Sequence, residues 1–288
     1  MSTATTPKAK LDGAKIAMTI WGVIVFIFLF LPIVWIFVYS FNTGRILTDW
    51  NGFGIDGYRA FFENPAPRAA VQVSLIVAAL SAIVATVLGS LAGVALARRP
   101  GRWALAFLFL VALVLVTPEI VDAIALLPWY VLLGQDLNLV AFDNGYVRLI
   151  VSHSVFSTAV VALIVRARLS GIDESLEEAA GDLYATPTKR FTQITLPLML
   201  PAVLAGGLLA FTLSLDNTVI SSFVTIQGST PWPVYVFSSV KASLRPEIAS
   251  ISTLMFLLTV FAIGMVALVL RRGGDSSTDV AATMTGTG

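Results

Sequence analysis

Six long apolar stretches restrict the fold of this chain more than any other feature. They span about residues 16–39, 69–97, 104–127, 149–165, 198–223 and 248–270. Most of them supply the roughly 20 apolar residues that a helix needs to cross the hydrocarbon layer of a bilayer. Because the runs are continuous rather than alternating, they are typical of membrane helices and not of a β-barrel. We therefore predict an all-α membrane protein with six transmembrane helices.

Composition excludes several classes of protein. Only 12% of the 288 residues are charged, against about 25% in average soluble chains. The absence of cysteine excludes disulfides, thiol catalysis and thiolate metal sites. The single histidine, His153, lies between two serines, which favours a hydrogen bond between helices over a metal site. We predict no cofactor and no catalytic residues for this chain, and the net charge of +1 gives no indication of nucleic acid.

The distribution of lysine and arginine predicts the orientation. Six crossings would place these basic residues on one side: Lys8, Lys10, Lys15, Arg98, Arg99, Arg102, Arg166, Arg168, Lys189, Arg190, Arg271 and Arg272. The other side would hold Arg45, Arg59, Arg68, Arg148, Lys241 and Arg245. Since basic residues are in excess on the cytoplasmic side, both termini are predicted to be cytoplasmic.

The predicted organisation follows from these crossings. We expect disordered cytoplasmic tails at 1–14 and 273–288, and a first transmembrane helix with an outer loop over 15–68. Five further helices form a domain over 69–270, with a cytoplasmic loop at 170–197. A small-residue face in the second crossing, containing Gly89 and Gly93, predicts close helix packing.

The cytoplasmic loop carries a charged segment that contrasts with its apolar surroundings. Residues 173–190 contain Asp173, Glu174, Glu177, Glu178, Asp182, Lys189 and Arg190. Leu176, Ala179, Ala180 and Leu183 recur at helical spacing and form one apolar stripe. Thr186 and Pro187 predict a helix N-cap followed by proline at the first position, with a second short helix ahead of the next crossing.

Three interpretations of this segment remain open from the pattern alone. A helix lying on the bilayer usually has basic residues on its polar face, whereas here acids outnumber bases. A solvated connector does not require an apolar stripe. Docking into a groove of another cytoplasmic protein accounts for both faces.

Glu178-Ala179-Ala180, followed at fixed distance by Ile194-x-Leu196-Pro197, resembles the EAA motif of binding-protein-dependent ABC importer permeases. The resemblance implies a six-helix, MetI-like type I importer fold and a loop that docks on an ATPase subunit. Its contact would involve Leu176, Glu178, Ala179, Ala180, Leu183, Tyr184, Ile194, Leu196 and Pro197. Tyr184 replaces the family's usual glycine, so the turn needs another geometry or the ATPase groove must accept a larger side chain.

Acidic residues within the apolar windows are candidates for a substrate pathway, because charges are costly there and tend to line pathways. Glu119 and Asp122 stand three residues apart after Pro118, which predicts a kinked or broken helix. Asp216 lies in the fifth window, and Trp129 and Tyr130 could contact an ammonium group through their rings. For Asp122, solvation near the outer interface is the preferred explanation, whereas Glu119 and Asp216 favour the pathway.

Residues 211–223 and 228–255 are similar to the corresponding region of spermidine/putrescine permeases, and Thr-Pro-Glu-Ile at 117–120 resembles their third-helix motif. This implies that Asp216 matches the first acid of a pair, whose second acid is Asn217 here. The implied substrate is a polyamine; ferric ion, thiosulfate or another organic cation are the alternatives within the class.

The resemblance also implies partners: a homologous permease, two ATP-binding subunits that carry ATP and Mg²⁺, and an extracytoplasmic substrate-binding protein in a bacterial plasma membrane. No phosphate-binding loop G-x-x-x-x-G-K-[ST] occurs, so this chain is not predicted to bind ATP. An ion-coupled secondary transporter is the alternative from another class, because it could use the same acids as ion sites.

Overall fold

The computed structural model describes residues 13–44, 49–98, 100–242 and 245–272. The predicted tails lie outside this part of the chain, except that the first helix already begins at Gly13. Lys8, Lys10, Arg45 and Arg99, which entered the orientation argument, also lie outside the described residues.

Helices account for the described secondary structure, apart from an isolated bridge between Asn42 and Phe53. They are α1 (Gly13–Tyr39), α2 (Asp56–Glu63), α3 (Pro65–Arg98), α4 (Arg102–Val116), α5 (Glu119–Val131), α6 (Gly145–Ser170), α7 (Ser175–Asp182), α8 (Pro187–Arg190), α9 (Leu196–Asp216), α10 (Val219–Val224), α11 (Trp232–Ala242) and α12 (Pro246–Arg272). Leu132–Asp136 and Phe191–Thr195 are π-helical turns, and Val140–Asp143 is a 3₁₀ turn.

Within the described residues, five helices are long and apolar enough to cross a membrane. A sixth crossing results if α4 and the helical stretch Glu119–Asp136 are counted together, although these two are bent by 105°. The third window is therefore two helices rather than one, and the break predicted at Pro118 is confirmed. Proline forces the preceding residue out of helical geometry, and Thr117 accordingly has ψ of 129°.

The fifth window is also interrupted. Helix α9 ends at Asp216, and the short helix α10 begins at Val219. Asn217 has an extended ψ of 102°, and its side-chain oxygen accepts a hydrogen bond from the backbone N–H of Ser221 at 3.3 Å. The amide of Asn217 thus satisfies a backbone donor in the first turn of α10.

Two compact units are distinguished by their internal contacts. The first comprises the described residues of Met1–Glu63 and Leu244–Met255, and the second those of Asn64–Ser243 and Phe256–Gly288. In the first unit, Asn42 organises the loop after α1: its side chain donates to the carbonyl of Asp49 and accepts from the N–H of Asn51. Ser250 of α12 donates to the carbonyl of Ser40 at 2.7 Å.

The core of the second unit is built on α3, α6 and α9, which pack against each other. One buried apolar cluster joins these three helices and includes Ala85, Val161 and Met199. Another joins α3 and α6 to α5 and α10 and includes Val77, Leu149 and Ile220. The helices on both sides of the second break, α9 and α10, therefore pack against the same central pair, α3 and α6.

Glycines allow the close approach of α3 and α6, which confirms the predicted small-residue face. A Cβ added to Gly89 would lie 2.6 Å from the Cβ of Val161, and one added to Gly93 would lie 2.8 Å from the carbonyl oxygen of Ala162. Real Cβ atoms do not approach so closely, and backbone cannot yield as a flexible side chain does.

We expect Gly93→Leu to destabilise the folded chain by about 1–3 kcal/mol or more, because the new side chain would overlap the backbone of α6. The measurement is the melting temperature and the monodisperse fraction after extraction in detergent. Gly22→Leu in α1 is the matched control, since nothing lies within 4 Å of a Cβ placed there. Equal melting of Gly93→Leu and the unmodified chain would contradict this packing.

Candidate functional site

The charged segment contains α7, a short helix between the two core helices α6 and α9, and ends with α8. Its start is fixed by Asp173, whose carboxylate accepts a hydrogen bond from the backbone N–H of Ser175 at 2.9 Å. That hydrogen bond favours the ionised carboxylate, so it lowers the pKa of Asp173 below its ordinary value.

Arg98, the last residue of α3, ties α7 to the core. Its guanidinium donates through Nε to Glu177 at 3.0 Å and through Nη1 to Glu174 at 3.2 Å. The side chain of Arg98 is only 12% exposed, and that of Glu177 is 26% exposed. Since this pair is largely removed from water, it is held more firmly than an exposed surface pair.

Glu177 also connects α7 to the start of α9. The hydroxyl of Thr195, which is buried, donates to the same Glu177 oxygen at 2.9 Å. Thr195 lies in the π-helical turn between α8 and α9, and such turns are frequent at functional positions. Arg98, Glu177 and Thr195 therefore form one cluster, here called the α7 clamp, that joins α7 to two core helices.

The predicted N-cap at Thr186 is confirmed, because its hydroxyl accepts from the N–H of Lys189 and Pro187 begins α8. The prediction of a second short helix separate from the next crossing is wrong. Helix α8, the π-helical turn and α9 run on as one helical stretch, Pro187–Asp216. Ile194, Leu196 and Pro197 belong to this stretch, and Leu196 packs against the core of the second unit. Leu196 is thus engaged in packing within the chain.

The outward side of α7 combines apolar and acidic groups. Leu176, Glu178, Ala179, Asp182, Leu183 and Tyr184 are exposed, and we call them the α7 surface. Ala180 is half-buried. The predicted apolar stripe is therefore present, although Leu183 is the residue at which the helix ends rather than part of it.

Tyr184 keeps the backbone geometry that a glycine would favour. Its φ is 59°, in the left-handed region. The first of the two alternatives, a turn of another geometry, is therefore wrong, and the larger side chain is what distinguishes this turn.

A cavity of about 340 Å³ lies in the second unit, between α4, α5, α6 and α10. It is lined by Val114, Asp122, Ala125, Leu126, Trp129, Ser152, Val155, Phe156 and Ile220. Its volume is near the lower end of the range of about 300–1,000 Å³ typical of small-molecule sites. One carboxylate, one hydroxyl and two aromatic rings in an otherwise apolar wall can accommodate a cationic ligand with an aliphatic chain.

Two of the predicted pathway residues, Asp122 and Trp129, thus share this cavity. Glu119 is exposed in the first turn of α5 and is not among the lining residues. Asp216 is exposed at the C-terminal end of α9. The side chain of Asn217 accepts a hydrogen bond from the first turn of α10. The structure therefore does not join the three acids into one lining.

Tyr130 is not among the lining residues and lies behind Ser152, which is one of them. It is buried, with its hydroxyl within 2.7 Å of the hydroxyl of Ser152 and 3.2 Å from the carbonyl of Arg148. The guanidinium of Arg148 lies over its ring at 5.9 Å. A cation–π contact therefore exists, but its cation is a side chain of the same unit.

The predicted hydrogen bonding of His153 between helices is confirmed. Its Nδ1 lies 2.7 Å from the hydroxyl of Ser214 in α9, and its Nε2 lies 3.0 Å from that of Ser221 in α10. Ser81 of α3 donates to Ser214 at 3.0 Å. The imidazole thus bridges the break between α9 and α10 from within the core.

Two features of these sites escaped prediction. The sequence argument uses Arg98 only as a basic residue of a turn. The signal for its ion pairs with α7 was its position at a helix end on the same predicted side as a loop rich in acids. Val155 and Phe156 of α6 gave no signal, because an apolar residue in a membrane helix has the same appearance whether it lines a cavity or faces lipid.

Comparisons with known proteins agree with one another. The family described as "Binding-protein-dependent transport system inner membrane component" matches residues 85–277. The Putrescine transport system permease protein PotI of Escherichia coli (strain K12) is 39% identical over 251 residues, covering 85% of this chain and 89% of that protein. The Spermidine/putrescine transport system permease protein PotC of the same strain is 36% identical over 247 residues, covering 86% and 91%.

Solved structures show the same fold. A chain from a bacterial ABC transporter involved in the import of the acidic polysaccharide alginate superposes with a TM-score of 0.64 at 16% identity. The match covers 91% of this chain and 98% of that chain.

Proposed function

Because this chain belongs to the family of binding-protein-dependent transport system inner membrane components, we propose that it is the permease subunit of an ATP-driven importer of polyamines. The α7 surface would dock on an ATP-hydrolysing subunit, and the cavity at Asp122 would admit the cationic substrate. The termini and α7 would face the cytoplasm.

The observation that carries the docking proposal is the two-sided construction of α7. Its inward side is fixed to α3 and α9 by the α7 clamp. Its outward side leaves apolar and acidic groups exposed in the described part of the chain. A solvated connector requires neither the clamp nor the exposed Leu183. A partner that grips the outward side would therefore act on the two core helices through the clamp.

The clamp supplies a route for the motion. When the ATP-hydrolysing subunits close, α7 moves with them, and Glu177 transmits that displacement to Arg98 and to Thr195. The ends of α3 and α9 then move together, because both are held to the same carboxylate. Since α3 and α9 also pack on α6, which contributes one wall of the cavity, this motion changes access to the cavity.

The polyamine assignment is supported by the names of two relatives and by the chemistry of the cavity. A diamine or triamine consists of ammonium groups separated by methylene chains. Asp122 offers the ammonium a carboxylate, Trp129 and Phe156 offer ring faces, and the aliphatic wall suits the methylenes. Other organic cations share this chemistry and remain the alternative substrates of the same importer class.

The remaining components follow from the same proposal. A homologous permease would complete the transmembrane pathway, two ATP-binding subunits would hold ATP and Mg²⁺, and an extracytoplasmic binding protein would deliver the substrate. This chain would itself bind no nucleotide.

Docking on the α7 surface is tested by a single introduced thiol, since the chain contains no cysteine. We expect Asp182→Cys, with a short thiol-to-amine cross-linker, to yield a product that contains the ATP-hydrolysing subunit. The measurement is mass spectrometry of the cross-linked band from intact membranes.

Asp136→Cys is the control, because Asp136 is also an exposed acid but lies in the stretch between α5 and α6. A product from Asp136→Cys as abundant as that from Asp182→Cys, or none from either, would contradict docking at α7.

A further inference from the structure

The residue that follows the C-cap of α7 holds an unfavourable backbone conformation for its type. The N–H of Tyr184 bonds to the carbonyl of Gly181 at 2.9 Å, and the N–H of Ala185 bonds to that of Ala180 at 3.0 Å. These two bonds define a Schellman motif, in which the residue at the position of Tyr184 is left-handed and usually glycine. A Cβ at φ of 59° is strained, and for a bulky aromatic residue this geometry is an outlier.

Nothing within the described residues compensates for that strain. The side chain of Tyr184 is 95% exposed and that of the adjacent Leu183 is 82% exposed. In the described part of the chain, the Tyr184 ring stacks on no other ring and its hydroxyl has no hydrogen-bond partner. A strained residue without internal contacts indicates that the side chain is used in an interaction outside the chain.

The charges around the ring favour a protein over a lipid surface. Glu178 and Asp182 are exposed on the same short helix, and neither is engaged in an ion pair within the described residues. An anionic leaflet would repel these two carboxylates. A groove with an apolar floor and basic edges would complement all four side chains.

We propose that Tyr184 is the aromatic anchor of the interface, and that its ring enters, with Leu183, an apolar pocket of the ATP-hydrolysing subunit that is edged by lysine or arginine. This rests on the proposed function, and it adds the residue on which the affinity depends. Tyrosine is enriched among the few residues that dominate the energy of protein interfaces. The ring lies exposed just past the C-cap of α7, where the strained backbone presents it to a partner.

The proposal predicts opposite effects of one substitution on stability and on binding. Tyr184→Gly removes the backbone strain, so the melting temperature of the permease should be unchanged or higher. The same substitution removes the anchor, so we expect the affinity for the ATP-hydrolysing subunit to fall about tenfold or more. Tyr184→Phe keeps the ring and should remain within about threefold of the unmodified affinity, as expected when packing of the ring dominates.

Asn138→Gly is a matched control, because Asn138 is the other non-glycine residue with positive φ in the described chain, at 52°. It should leave the affinity unchanged. The measurement is the dissociation constant between the full-length permease and the ATP-hydrolysing subunit that co-purifies with the unmodified chain. The subunit is separated, purified and titrated onto the permease, first in detergent and then in vesicles with anionic lipid.

Equal affinities of the unmodified chain and Tyr184→Gly in both preparations would overturn the anchor while leaving docking itself intact. A loss confined to the vesicles would assign the ring to the lipid surface and would also overturn it. Failure of any ATP-hydrolysing subunit to co-purify or bind would instead contradict the proposed function.

Discussion

Replacing Arg98 with alanine is expected to lower ATP-dependent uptake about tenfold or more while the ATP-hydrolysing subunit still binds. The reason is that Arg98→Ala leaves Glu177 without its guanidinium partner, next to the buried end of α3. Breaking a buried pair by removing one partner costs about 2–5 kcal/mol. Because the Glu177 side chain is 26% exposed, we expect a free-energy cost near the lower end of that range. The α7 surface itself is untouched by this substitution.

In this variant the rate of uptake should therefore fall while the rate of ATP hydrolysis is retained. The measurement compares the rate of substrate uptake with the rate of ATP hydrolysis by the assembled complex in the same vesicles. Arg102→Ala is the control, because Arg102 is a nearby exposed arginine at the start of α4. A double-mutant cycle with Glu177→Gln should give a clear interaction energy. Additive effects of Arg98→Ala and Glu177→Gln would contradict a shared clamp.

Neutralising Asp122 is expected to reduce uptake by a similar factor. The loss would come from weaker substrate binding and not from weaker coupling to ATP hydrolysis. Asp122 is the carboxylate that lines the cavity, so Asp122→Asn removes the charge proposed to attract an ammonium group while keeping the shape of the side chain. We expect uptake of a diamine to fall about tenfold or more. A tenfold fall corresponds to a loss of roughly 1.4 kcal/mol in binding free energy. The measurement is the concentration dependence of uptake.

Three other acids give graded controls for this result. Asp136→Asn removes an exposed carboxylate outside the cavity lining and should have no effect. Glu119→Gln and Asp216→Asn should have smaller effects than Asp122→Asn, because neither residue lines the cavity. If Asp122→Asn transports as well as the unmodified chain, or if Glu119→Gln proves more damaging, the cavity is not the cation site.

Much of the fold could be predicted because the bilayer imposes a simple rule on sequence. The apolar windows identified the crossings, and Pro118 identified the break in one of them, since proline acts through the local backbone. The break at Asn217 was missed because no proline or glycine marks it. Asn217 adopts an extended backbone there, and its side chain accepts a hydrogen bond from the Ser221 N–H. The N-cap at Thr186 was predictable for the same reason as Pro118: its cause is local.

The sites were less predictable because they depend on which distant residues meet. Glu177 and Arg98 are far apart in the sequence, and no local pattern indicates that they form an ion pair. Composition alone made the acids of the third and fifth windows equal candidates. Only the tertiary structure shows that Asp122 lines the cavity, whereas Glu119 and Asp216 do not. Tyr184 shows a further limit: a left-handed tyrosine is not expected from sequence, because its cost lies in the backbone.

We expect this chain to move substrate only when a separate ATP-hydrolysing subunit drives it through α7. The direct measurement is uptake of labelled putrescine by vesicles that contain the purified permease complex, with and without the ATP-hydrolysing subunit, under ATP or under an imposed proton gradient. We predict uptake only with the subunit, ATP and the binding protein together, and its loss with Arg98→Ala. Uptake driven by the proton gradient without the subunit would contradict the account.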